Sequence, residues 1–173
     1  LVDSHEERVR GQRRRGRPAR VFALTAAGRD TFAQSYDDLA AEALRFLRLS
    51  GGDGAVEAFA RHRLEEFRTR YAALLADVPA DRRAEVLALA LTADGFAAST
   101  SRTPSGGVQL CQHHCPVAHV AEEFPQLCEA ETEIFAELLG NHVQRLATIA
   151  HGDGVCTTHV PRTAQTITSE GVS

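Results

Sequence analysis

An α+β fold is predicted by three features of the sequence. Two pairs of short strand-like runs flank Gly-rich turns, long stretches carry apolar residues at helical spacing, and the last third mixes short helices with a strand around four cysteines. Taken in order, Leu1 to Glu7 and Arg20 to Thr25 alternate as strands, and the Gly-, Arg- and Pro-rich run between them predicts a β-hairpin with a basic tip. Thr25 stands at an N-cap position, and Phe32, Tyr36, Leu39, Ala43 and Leu47 recur at helical spacing as far as Ser50. Gly51-Gly52-Asp53-Gly54 is expected to break this helix. A second stripe follows through Val56, Phe59, Leu64, Phe67, Tyr71 and Leu74 or Leu75, in a helix expected to pack antiparallel to the first.

Pro79 opens a third helix over Arg82 to Ala93, closed by Asp94-Gly95. Phe96 to Ser101, the turn at Thr103 to Gly107, and Val108 to Leu110 predict a second hairpin that leads into Cys111. A short helix over Val117 to Glu123 precedes Pro125. A longer one is expected from Leu127 to about Thr148, through Ile134, Phe135, Leu138, Leu139, Val143 and Leu146. Gly152-Asp153-Gly154 then turns the chain into a strand over Val155 to Val160, and residues 162–173 are expected to form a disordered tail.

Composition narrows the function classes. At 173 residues, 43% hydrophobic and 24% charged, the chain is too short for a large multidomain enzyme. No apolar run reaches the roughly 20 residues that span a bilayer, and no secretory leader pattern is present, so a soluble cytoplasmic protein is expected. A chain that opens Leu1-Val2-Asp3 and holds no Met is expected to be a fragment of a longer one. The formal net charge of −4 hides an asymmetry: residues 1–20 hold seven Arg against three acids, and the rest holds twelve Arg against twenty. No Gly-x-Ser-x-Gly, P-loop or His-Glu-x-x-His pattern occurs, so an enzyme is not expected.

Two constellations carry chemistry. Arg13, Arg14, Arg15 and Arg17 on the first hairpin tip could neutralise phosphates or enter a minor groove of duplex DNA, or could simply form a solvated turn. The cysteines are spaced Cys111-x3-Cys115-x12-Cys128-x27-Cys156. One or two disulfides fit this composition poorly, and burial as small apolar residues explains Cys128 and Cys156 but not Cys111 and Cys115 in what is predicted to be a polar loop. Metal binding explains the loop better, because thiolates are soft ligands for zinc or for iron in a cluster. His113, His114 and His119 are near enough in sequence to complete a Cys3His zinc site, and spacing alone leaves zinc and cluster open.

Longer motifs resemble a known family. The run Gly16-Arg17-Pro18-Ala19-Arg20-Val21-Phe22-Ala23-Leu24-Thr25-Ala26-Ala27-Gly28 resembles the wing of prokaryotic winged-helix repressors and its exit into the next helix. Further on, Cys111-Gln112-His113-His114-Cys115-Pro116 is followed by Phe124-Pro125, Leu127-Cys128-Glu129, Leu138-Leu139-Gly140 and Gly152-Asp153-Gly154-Val155-Cys156. With Ala121, Glu133, Phe135 and Val143, this half is similar to the sensor of SufR-type transcriptional repressors. The resemblance covers nearly the whole chain to Pro161. It implies a homodimeric regulator whose winged helix binds double-stranded operator DNA upstream of iron-sulfur cluster assembly genes, with that binding controlled by a [4Fe-4S] cluster. It implies Cys111, Cys115 and Cys128 as cluster ligands, with Cys156 as the fourth thiol. The zinc-stabilised DNA-binding or partner-binding module is the alternative. The expected organisation is a wing remnant over 1–25, a helical linker and dimerisation region over 26–78, and the sensor over 79–161. The family's helix-turn-helix has no counterpart in this sequence.

Overall fold

The computed structural model describes residues 2–6, 20–24, 35–104 and 106–162. The chain forms two compact units, Leu1–Tyr36 and Asp37–Ser173. In the first, β1 (Val2–Glu6) pairs antiparallel with β2 (Arg20–Leu24), with Val2 opposite Leu24 and Glu6 opposite Arg20. These are the two strands expected for the basic hairpin. The tip residues Arg13, Arg14, Arg15 and Arg17, and the helix start at Thr25 to Asp30, lie outside the described residues.

The second unit begins with α1 (Tyr36–Leu75), whose first turn carries Asp37 and Asp38 against the positive helix end. The expected break is present, but it is one residue long: Gly52 has φ 71° and ψ −175°, and helical structure resumes at once. That backbone region is accessible essentially to glycine alone. Before the kink the core-facing residues are Ala41 and Leu44, whereas Tyr36 and Leu39 from the predicted stripe are exposed. Ala41 and Leu44 join the hydrophobic cluster, and Arg45 and Arg48 on the same side reach Glu123. Beyond the kink, Val56, Leu64, Tyr71 and Leu75 are buried as their spacing predicts, and Ala60 joins them.

A 3-10 turn over Ala80–Arg82 leads from Pro79 into α2 (Arg83–Ala93), which buries Leu87 and Leu91. Asp94 caps the end through its backbone N–H, and its carboxylate accepts hydrogen bonds from Tyr71 and Arg70 of α1. Then come β3 (Ala98–Arg102), β4 (Val108–Gln112), α3 (Ala118–Glu123), α4 (Gln126–Leu139), β5 (Gln144–Ala147), a 3-10 turn over Ile149–His151, and β6 (Cys156–Val160). The four strands form one antiparallel sheet in the order β3-β4-β6-β5.

Two expectations are corrected here. The helix expected to run to Thr148 stops at Leu139, because Gly140 adopts φ 63° and its N–H and that of Asn141 bond back to the last helical carbonyls. Val143 therefore lies beyond the helix and Leu146 falls on β5. Cys111 is not in a loop. The β4 ladder extends through it, with Ser99 on one side and Thr157 on the other.

One hydrophobic cluster joins α1, α2, α4 and the inner sheet face, with Leu87, Leu110, Phe124 and Phe135 among its most buried members. Among the described residues no helix is long and apolar enough to cross a membrane.

Candidate metal centre

Strand alternation decides where the four thiols go. Gln112 lies opposite Cys156 in the β4–β6 ladder, so both side chains occupy one face of the sheet; Cys111 lies opposite Thr157 and occupies the other. The Gln112–Cys156 face is the inner one, with Gln112 1% and Cys156 4% exposed. Cys115 follows β4 in the turn into α3, and Cys128 sits in the first turn of α4. The charge of Cys156 acts on both Cys115 and Cys128, and that of Cys115 acts on Cys128. The three come from three different elements. Cys111 belongs to the outer face instead, among Ser99, Gln109, Thr157 and His159.

Burial pushes the Cys115, Cys128 and Cys156 thiols up, Cys128 to about 11. Opposing that, the backbone N–H of Val117 donates to the Cys115 sulfur and that of Ile149 to Cys156 Sγ at 3.2 Å. Amide donors to sulfur are a recurrent device for stabilising metal-bound thiolates. The Ile149 donor is positioned by the Gly152-Asp153-Gly154 turn, where Asp153 Oδ2 accepts from the Thr148 N–H at 2.9 Å and Gly152 takes φ 95°.

Beside the thiols lies a part-buried polar network. Arg145 on β5 donates from Nη2 to Glu131 Oε2 at 2.6 Å, from Nη1 to Gln112 Oε1 at 3.0 Å and from Nε to Thr132 Oγ1 at 3.2 Å. Gln112 Nε2 in turn donates to Glu131 Oε1 at 3.1 Å. The Arg145 guanidinium stands 5.6 Å from the centre of the Phe135 ring. An open cleft of about 530 Å³ exposes one side of the site, lined by Cys128, Thr132, Arg145, Thr148, His151 and Asp153 among others.

The donor chemistry suits a thiophilic metal group. Three thiols supply soft ligands, two amides point at sulfur, and the buried hydroxyls of Thr148 and Thr158 have no hydrogen-bond partner within the protein. No group of three or more His, Cys, Asp or Glu side chains among the described residues is already drawn together at metal-binding distances. The histidines weighed for a zinc site are engaged elsewhere or exposed: His113 Nε2 is 2.9 Å from Ser99 Oγ, His119 stands 3.7 Å from Asp38, and His114 is exposed.

Sequence reasoning missed Arg145, Glu131 and Gln112. Glu131 carried a readable signal, because it follows Cys128 by three residues and shares its helix face. Arg145 carried none, since the helix was expected to continue through it. Comparison with protein-family models, with curated proteins and with solved structures gives no match for this chain.

Proposed function

We propose that the chain is the sensor part, with a wing, of a homodimeric iron-sulfur cluster-dependent transcriptional repressor of cluster assembly genes. Its DNA binding would be controlled by a [4Fe-4S] cluster held by Cys115, Cys128 and Cys156. The observation that carries the reading is that Cys156 lies on the inner sheet face and that its charge acts on Cys115, from a turn, and on Cys128, from a helix. A bound cluster supplies an oxygen-labile, redox-active centre. The protein's own part is to present three sulfurs from a turn, a helix and a strand, to direct the Val117 and Ile149 amides at two of them, and to hold a guanidinium alongside. Loading the site requires the raised thiols to lose their protons, so uptake releases protons.

The DNA-binding role rests on the basic hairpin between β1 and β2 and on the family resemblance. Support for a homodimer comes from the first half of α1, where Leu39, Phe46 and Leu49 form an exposed apolar stripe on the side away from Ala41 and Leu44. A coupling route is also present. The segment between Cys115 and Cys128 is tied to α1 by Arg45, whose Nε lies 2.9 Å from both Glu123 carboxylate oxygens, and by Arg48 over the Phe124 ring at 5.1 Å.

The test is anaerobic purification from iron-replete cells, with iron, acid-labile sulfide and zinc measured on the parent and on four single Ser variants. Cys115→Ser, Cys128→Ser and Cys156→Ser should each lose the brown cluster, and Cys111→Ser should keep it. Stoichiometric zinc without iron or sulfide would overturn the cluster in favour of a zinc-stabilised module.

A further inference from the structure

The Arg145–Glu131 pair needs a reason to be where it is. Its side chains are 12% and 16% exposed, and a buried ion pair repays its desolvation poorly compared with apolar packing. This pair is nevertheless built with care. Both carboxylate oxygens and all three guanidinium nitrogens have a partner, and Gln112 bridges the two ions. Its placement follows the thiols element by element. Gln112 is the register partner of Cys156, Arg145 is the partner of Thr158 two residues further along the same inner face, and Glu131 and Thr132 lie one turn beyond Cys128 on α4. Thr132 Oγ1, which accepts from Arg145, itself donates to the Cys128 carbonyl at 2.8 Å. Arg145 and Cys128 also line the same cleft.

We propose that Arg145 and Glu131 are charge-setting positioning residues for the group held by Cys115, Cys128 and Cys156, the guanidinium favouring its more negative state and the carboxylate opposing it. This assignment rests on the cluster reading above. The physical argument is Coulombic. A cluster bound by thiolates gains one negative charge when it takes up one electron, and in a site of low effective dielectric a neighbouring full charge shifts that equilibrium. In the intact pair the two charges largely offset each other. Removing one exposes the other, so the two single changes must act in opposite directions.

The experiment is an anaerobic equilibrium redox titration of the cluster-loaded full chain with soluble mediators, following the visible absorption of the one-electron couple. Arg145→Gln should lower the midpoint potential, and Glu131→Gln should raise it. Each shift is expected to be about tenfold in the reduced-to-oxidised ratio, which is about 59 mV for one electron. The double variant R145Q/E131Q, with the pair neutral again, should return close to the parent. Should Arg145→Gln not fold, Arg145→Lys keeps the charge without the planar fork and should leave the potential near the parental value, with Glu131→Gln still shifting upward.

Shifts of the same sign in both Gln variants, or none in either, would show a purely structural network and overturn the assignment while leaving the cluster reading intact. Parent protein that takes up no iron and sulfide overturns the cluster reading and this assignment together. Melting of the metal-free variants serves as the folding control.

Discussion

At Gly107, the absence of a side chain is what lets β4 and β6 close. A Cβ there would sit 2.6 Å from His159 Cε1 and 2.7 Å from the Val160 carbonyl oxygen, and the latter is backbone that cannot swing aside. Gly107→Ala is therefore expected to destabilise the protein by about 1–3 kcal/mol, the usual range for overpacking. Chemical denaturation of the metal-free protein would measure it, and an unchanged midpoint would show that the β4 start has room to move. Because the same ladder sets Gln112 against Cys156, the variant should also lower occupancy of the proposed cluster site. Neighbouring residues in β4 differ sharply in role: Leu110 and Gln112 are sealed in the core while Cys111 between them is partly open.

Among the elements, α1 has two features with measurable consequences. Its kink depends on Gly52 at φ 71° and ψ −175°, a conformation that costs any residue with a Cβ about 1–3 kcal/mol. Gly52→Ala should lose about that much in denaturant unfolding. A result indistinguishable from the parent would mean that the helix straightens without penalty.

The second feature is the link from α1 to α3. The Arg45 guanidinium beside Glu123 holds that carboxyl below its ordinary value of 4.5. A carboxyl with a lowered folded value adds stability above its unfolded value, and that contribution fades as the pH falls through the folded one. Glu123→Gln should accordingly reduce stability near neutral pH and approach the parent in acid. A difference that persists unchanged into acid would assign the loss to packing rather than to charge.

The whole molecule divides where α1 begins. Residues from Asp37 onward form one compact unit, and among the described residues Ala41 to Val160 share one hydrophobic cluster. A chain restricted to residues 37–162 is therefore expected to unfold in one cooperative transition and, if the proposed cluster site is correct, to take up the same iron and sulfide as the longer chain. Circular dichroism melting and metal analysis check this. A broad, non-cooperative melt would show that the first unit is needed for the core. The charge division follows the same line, since the first twenty residues are basic and the remainder acidic.

The sequence by itself determined the α+β class, both hairpins, the glycine break near residue 52, the end of α2 at Asp94-Gly95 and the cysteine set from which a metal site could be drawn. These features are local: turn residues, capping and apolar periodicity act over a few positions and leave their mark in the order of residues. Only the tertiary structure decided on which side of the sheet the strand thiols lie. Cys111 and Cys115 are neighbours in sequence, yet strand β4 carries the first on the outer sheet face, while Cys156, 28 positions after Cys128, starts β6 on the inner one. Strand pairing reverses side at every residue, so a reading of spacing that places Cys111 in a loop cannot recover its side. The same holds for Arg145, which meets Glu131 and Gln112 only because Gly140 ends α4 and sends the chain back as a strand.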